Sequence, residues 1–278
     1  MIFDTHAHCY WDSLLPHIED IVLRMQQKWI QKVTQIWCDI STSLKAIELA
    51  ERFPGVFSAT AGFHPETAQN MFPNTEYLNE LEKLIEINRE YVVAVGECGF
   101  DFHYLDGTND GKTPFDRTHP SEIALRQIEN QKYWWLEQWK IGKKYNLPLI
   151  IHTRDARNET LSFMKENEIT RCVMHCFSED LEFARELLEF SDEIYFSFSG
   201  ILTYKNAKKI QEAATHVPLN RILVETDAPF LSPEPLRGTI NEPANTYYTL
   251  EKLIELRSES KEQIISQVYQ NSLQFFSL

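Results

Sequence analysis

Short runs of β-branched and aliphatic residues alternate along the chain with longer stretches whose apolar positions recur at helical spacing. The runs predict strands at Ile2–His6, Val33–Ile40, Val56–Phe63, Tyr91–Gly96, Leu147–Ile151, Cys172–Met174, Glu193–Phe198 and Arg221–Val224. Between them the pattern predicts a helix running through Arg24 and Trp29, one carrying Ile47, Leu49 and Ala50, a polar one over Glu76–Arg89 and a long one over Ser121–Asn146. Further helices are expected at Ala156–Glu166, Leu181–Phe190, Asn206–His216, Thr246–Arg257 and Lys261–Phe276. Strands separated by helices pair in parallel through crossover connections. Eight of them suit a closed barrel better than an open sheet, so the expected fold is α/β, a TIM-type (β/α)₈ barrel. No linker-like stretch divides residues 1–278, and a single domain is expected.

Each apolar strand runs into a polar cluster. The clusters are Asp4-Thr5-His6-Ala7-His8, Gly62-Phe63-His64-Pro65, Gly96-Glu97-Cys98-Gly99, His152-Thr153-Arg154-Asp155, His175-Cys176-Phe177-Ser178 and Glu225-Thr226-Asp227-Ala228-Pro229. In a barrel all strand C-termini open on one mouth, so residues distant in sequence converge there. His6 and His8, two apart on an extended strand, face the same way, and two neutral imidazoles suit Zn²⁺ or a similar cation. On its own such a pair is a weak signal and favours ordinary surface or loop histidines. Glu97 ends the buried run Val92–Gly96, where an unpaired charge is costly. A salt bridge to lysine or arginine, or a bridging position between two cations, would satisfy it. Glu225 and Asp227 share a strand face and should repel unless a cation lies near; a hydrogen-bonded turn before Pro229 is the alternative.

Composition narrows the chemistry. With 41 acidic against 27 basic residues the net charge is −14, which disfavours extended binding to a nucleic-acid duplex. A nucleic-acid substrate would have to be gripped locally, for instance at an end, with bound metal supplying positive charge. The cysteines, Cys9, Cys38, Cys98, Cys172 and Cys176, are odd in number and scattered. A disulfide framework is not expected, and without a signal-like N-terminus a reducing cytoplasm is. Cys172 and Cys176 lack a second pair with zinc-site spacing. No apolar run approaches the ~20 residues of a membrane helix, no obligate protein partner is evident, and neither a phosphate-binding glycine loop nor a Ser nucleophile elbow occurs.

The motifs Asp-Thr-His-Ala-His, Gly-Phe-His-Pro, Gly-Glu-Cys-Gly-Phe-Asp, His-Thr-Arg-Asp-Ala, His-Cys-Phe-Ser and Glu-Thr-Asp-Ala-Pro-Phe-Leu, in that order, resemble the TatD-related metal-dependent deoxyribonucleases of the amidohydrolase superfamily. Asn241-Glu242-Pro243-Ala244-Asn245 and Asn271 are similar to that family too, and the resemblance spans Ile2 to about Phe276. It implies a (β/α)₈ barrel with two divalent metal ions, Zn²⁺, Mg²⁺ or Mn²⁺. It implies that His6, His8 and Asp227 hold one ion, that His152 and His175 hold the other, that Glu97 bridges, and that His64 and Arg154 contact a substrate phosphate. It also implies a 3′→5′ exonuclease acting on DNA, with single-stranded ends as the expected substrate; some members are linked to removal of D-amino acids from tRNA.

On this reading Asp227 and Glu97 are the candidate catalytic carboxylates, Asp227 as proton acceptor. Arg154 opposes charge on phosphorus and Glu225 orients a ligand. Hydrolysis of an ester or amide, or a catalytically silent barrel serving as a binding protein, are the rival readings. The chain departs from the family's pattern at Phe102–Pro120, an apparent insertion after the fourth strand that is expected to overhang the mouth, either as a partial lid or as a loose decoration. Trp135 and Trp139, with Trp134 beside them, are expected to pack against the barrel rather than stack bases.

Overall fold

The computed structural model describes residues 1–36, 38–107 and 115–278. Eight strands, β1 (Ile2–Ala7), β2 (Ile30–Gln35), β3 (Phe57–Ala61), β4 (Val92–Asp101), β5 (Leu149–Arg154), β6 (Cys172–Met174), β7 (Ile194–Phe198) and β8 (Ile222–Val224), pair in parallel in sequence order. Among the described residues ten α-helices accompany them: α1 (Ile18–Gln27), α2 (Ile40–Arg52), α3 (Pro65–Ala68), α4 (Thr75–Ile87), α5 (Glu122–Tyr145), α6 (Arg157–Glu166), α7 (Leu181–Phe190), α8 (Lys208–His216), α9 (Thr246–Leu256) and α10 (Lys261–Phe276). This is the single-domain TIM-type (β/α)₈ barrel that the alternation predicts.

The seam between β1 and β8 is narrow. It consists of a bridge between Ala7 and Ala228, with His8 N–H donating to the Ala228 carbonyl at 2.7 Å and Asp227 N–H to the His6 carbonyl at 2.9 Å. Buried Asp4 reinforces it by accepting from the Thr226 backbone N–H at 2.9 Å and the Thr226 hydroxyl at 2.6 Å. The seam therefore locks His6 and His8 in register with Asp227. Elsewhere Phe3, Val93, Ile150, Val173, Tyr195 and Leu223 form one apolar cluster with Tyr269, Phe275 and Phe276 of α10. The larger core lies between the strands and the surrounding helices.

Three local readings change. The second strand ends at Gln35, and Ile40 already belongs to α2. Asp39 accepts from Thr42 N–H while Thr42 receives the Asp39 N–H, a capping box that starts a helix where apolar content alone suggests strand. Trp29 lies beyond α1, with φ 59° and its ring exposed. β4 extends to Asp101, five residues past its predicted end at Gly96. Trp134, Trp135 and Trp139 are buried as expected.

Candidate metal centre

The C-terminal ends of the strands bring the predicted residues together, with Glu97 as the hub. Glu97 Oε1 lies 2.7 Å from His175 Nε2, 2.8 Å from His152 Nδ1 and 3.5 Å from His64 Nε2. Its Oε2 lies 3.3 Å from His6 Nε2. Asp227 Oδ1 is 3.3 Å from His8 Nε2 and 3.6 Å from His6 Nε2. Imidazoles alone compensate the buried Glu97; among the described residues no lysine or arginine pairs with it.

Glycines on either side make that position possible. Gly96 and Gly99 both have φ 132°, and a Cβ at Gly99 would run into the His152 carbonyl, one at Gly96 into the Ile150 carbonyl. Glycine thus lets β4 press against β5, and the β4–β5 register shifts between Val95 and Cys98, which swings Glu97 toward His152.

Neighbouring groups set which ring nitrogen each histidine presents. His8 Nδ1–H donates to the Ile36 carbonyl at 3.0 Å, leaving Nε2 toward Asp227. Glu225 Oε1 lies 3.3 Å from His175 Nδ1 and accepts Cys176 N–H at 2.7 Å, leaving His175 Nε2 toward Glu97. His64 caps α3, its Nδ1 accepting Glu66 N–H at 3.1 Å. Its proton therefore sits on Nε2, the nitrogen facing the site, so His64 presents a hydrogen-bond donor there. Although His64, Glu97 and His152 are close enough to form a ligand trio, that tautomer makes His64 a poor ligand.

The donor set fits divalent cations. His6, His8 and Glu97, and likewise His6, His175 and Asp227, offer ligand atoms within 4.8 Å of one another. Among the described residues buried His6 has no hydrogen-bond partner on either ring nitrogen, a deficit that a cation at Nε2 would relieve. One participant escapes the sequence reading: Asp101 Oδ2 lies 3.0 Å from His152 Nε2. Strand alternation from Glu97 through Gly99 could have flagged it, had β4 been expected to run that far.

The profile of the family described as "TatD related DNase" matches residues 3–277. The chain belongs to this family. Over 281 residues it is 34% identical to the uncharacterized metal-dependent hydrolase YabD of Bacillus subtilis, covering 100% of both chains. It is 33% identical to the uncharacterized metal-dependent hydrolase YcfH of Escherichia coli K12, over 100% of this chain and 97% of the relative. The crystal structure of YJJV, a TatD homolog from Escherichia coli K12, superposes with a TM-score of 0.85 at 26% identity, covering 100% of this chain and 98% of that one. With the TatD family the chain joins a group of metal-dependent hydrolases.

The TatD-type mouth opens as a cavity of about 540 Å³ above Glu97, lined in part by His8, His64, His152, Arg154, Asp227 and Phe230. Arg154 is exposed at its wall, its guanidinium 5.1 Å over the Tyr104 ring. Among the described residues no carboxylate lies within ion-pair distance of it. Phe230 and Trp11, both partly exposed, meet edge to face at the rim with centroids 5.2 Å apart. Of the segment predicted to overhang the mouth, residues 108–114 lie outside the described residues. Its flanks are tied to the loop after β5 and to the first turn of α6: His103 Nδ1 lies 2.9 Å from Asp155 Oδ2, and Arg117 bonds Glu159 and the Asp155 carbonyl.

Without a cation, protons hold this TatD-family cluster together. Burial works to raise Glu97, but the charges of His175, His64 and His6 and the hydrogen bond from His152 hold it well below the usual carboxylate range. Burial works to lower His152, but its bonds to Asp101 and Glu97 push it up to about 9, and Glu97 likewise raises His175 well above its ordinary value. A group raised in the folded state stabilises below its unfolded value and loses that contribution as pH rises through its folded value. For His152 the loss falls between about pH 6.5 and 9. The chelated protein should therefore show a falling Tm from pH 7 to 9.5, and added Mn²⁺ should flatten the decline, because a cation prefers the neutral rings. Thermal melts in EDTA and in Mn²⁺ check this; a chelated Tm that holds level or rises across that range contradicts it.

Among the described residues no helix is long and apolar enough to cross a membrane.

Proposed function

We propose that the chain is a two-cation phosphodiesterase that removes nucleotides from single-stranded DNA ends, as a 3′→5′ deoxyribonuclease. The observation that carries this reading is one buried carboxylate, Glu97, shared between two histidine groups beneath an arginine that has no ion-pair partner among the described residues. His6, His8 and Asp227 would hold one ion, His152 and His175 the other, with Glu97 between them. The imidazoles suit Zn²⁺ best, while the carboxylates and water also admit Mn²⁺ or Mg²⁺.

Bound divalent cations supply positive charge to phosphoryl oxygens and acidify a water. The chain's own residues do the rest. Arg154, held on Tyr104 and without a carboxylate partner among the described residues, grips a phosphate in bidentate fashion. His64 Nε2–H donates to a second phosphate oxygen, since its Nδ1 is committed to capping α3. Asp227, whose pKa is lowered by its bond to His8 and the charges of His6, His8 and His175 against the opposing effect of burial, stays ionised and accepts the proton of the attacking water. Glu225 keeps His175 turned toward Glu97. The −14 net charge repels a long duplex and leaves the mouth as the place where a strand end is held. A reducing cytoplasm, consistent with five free thiols, is the working compartment.

The test is a chelator and add-back assay on 3′- and 5′-labelled single strands, with an aminoacyl ester in parallel. Cleavage should stop in chelator, return with Mn²⁺ or Mg²⁺, and release label first from the 3′ end. Turnover of the ester alone would move the reading to an ester or amide hydrolase. No metal-stimulated turnover of either substrate would leave a binding protein.

A further inference from the structure

Three of the histidines have a neighbour that fixes which nitrogen they turn to Glu97 or Asp227, and one of them is reversed. His8 presents Nε2 because its Nδ1–H donates to the Ile36 carbonyl, and His175 presents Nε2 with its Nδ1 turned toward Glu225 at 3.3 Å. His152 presents Nδ1, 2.8 Å from Glu97 Oε1 and 3.3 Å from His175 Nε2, with its Nε2 on Asp101. We infer that Asp101 is a positioning residue that holds the His152 ring proton on Nε2, so that Nδ1 is the nitrogen offered to the cation pair. This rests on the two-cation reading above.

The backbone explains why the reversal is needed. His152 stands opposite Gly99 in the β4–β5 register, and the strands are so close there that a Cβ on Gly99 would meet the His152 carbonyl. Nδ1 is nearer the backbone than Nε2, so the short arm of the ring matches the short distance between strands. A ring turned the other way would carry Nε2 past Glu97.

Asp101 is built for the task. It is fully buried, and a carboxylate only accepts, so the nitrogen facing it carries the proton. Its other oxygen accepts His103 N–H at 2.8 Å. Buried Gln131 of α5 clamps its backbone from both sides, accepting Asp101 N–H at 3.1 Å and donating to the Asp101 carbonyl at 2.9 Å. The carboxylate therefore cannot swing away, and the backbone of His103 helps to hold it.

Asp101→Asn tests the assignment. The amide keeps the shape but can equally turn its NH₂ to His152, which moves the ring proton to Nδ1 and blocks that lone pair. Zn²⁺ titration against a competing chelator should show one of two sites weakened about 10–100-fold. Long-range ¹H–¹⁵N NMR of the zinc-loaded protein should show the His152 proton on Nε2 in the wild type and that signal lost or mixed in the variant. Gln131→Leu, which loosens the clamp without touching the carboxylate, should shift both readouts the same way by less, and it serves if Asp101→Asn does not fold. A merely structural Asp101 would lower Tm and leave both readouts unmoved. Wild-type binding of two Zn²⁺ with a variant affinity within about twofold and an unchanged ring proton overturns this inference alone. A wild type that binds no Zn²⁺ overturns the two-cation reading and this inference with it.

Discussion

Replacing His152 and His175 together by alanine is expected to lower bound divalent cation from about two per chain to about one and to cut phosphodiester cleavage by at least ~10³-fold. The two rings stand on one side of Glu97, with their facing nitrogens 3.3 Å apart and each within 2.8 Å of the same carboxylate oxygen. Removing both empties one half of the centre and leaves the other half, His6, His8 and Asp227, intact. The double variant also strips Glu97 of two compensating imidazoles in a buried site, and an uncompensated buried charge is strongly destabilising. The chelated variant should therefore melt well below the chelated wild type, and a cation bound at the remaining subsite should recover part of the difference. Metal analysis on the folded fraction separates loss of ligands from loss of fold. Full metal loading in the double variant would remove His152 and His175 from the centre.

The parts of this architecture that could be read from the chain are those where one residue type does one thing locally. Apolar runs ending in His, Glu or Asp gave the strand ends, because a parallel strand is buried along its length and meets solvent only at its C-terminal end. All six proposed ligands and both proposed phosphate contacts reach one mouth for that reason. Parts that depend on neighbours remote in sequence were not legible. Ile36, Cys38 and Ile40 look extended and predict too long a second strand, whereas the capping box at Asp39 and Thr42 starts a helix there. Asp101 went unread as a site residue because its role exists only through His152, 51 positions away, and through the bulge that lets β4 continue past Glu97. The tautomer of His64 needed the fold too: Gly-Phe-His-Pro does not announce that Pro65 opens a one-turn helix whose N–H groups claim Nδ1.

Arg154→Ala is expected to reduce kcat/KM for phosphodiester cleavage by about 10²–10³-fold while leaving cation content and Tm close to wild type. Its side chain is exposed, carries no ion pair among the described residues and touches the protein chiefly through the Tyr104 ring, so the fold has little to lose when it is removed. A phosphate has much to lose, because in an acidic chain this guanidinium is a fixed positive charge at the cavity wall that needs no bound ion. Arg154→Lys should recover only part of the rate, since an ammonium restores the charge but not the planar pair of donors. The same substitution discriminates between substrate classes. A carbonyl substrate develops one oxyanion, which the cations themselves can meet, so ester hydrolysis should be nearly indifferent to Arg154. A phosphodiester presents two non-bridging oxygens and builds charge on both. Measuring the two reactions on one preparation of Arg154→Ala, with metal content determined alongside, therefore reads substrate class directly: a selective collapse of the phosphodiester rate upholds the nuclease assignment, and equal rates on wild type and variant for both substrates contradict it.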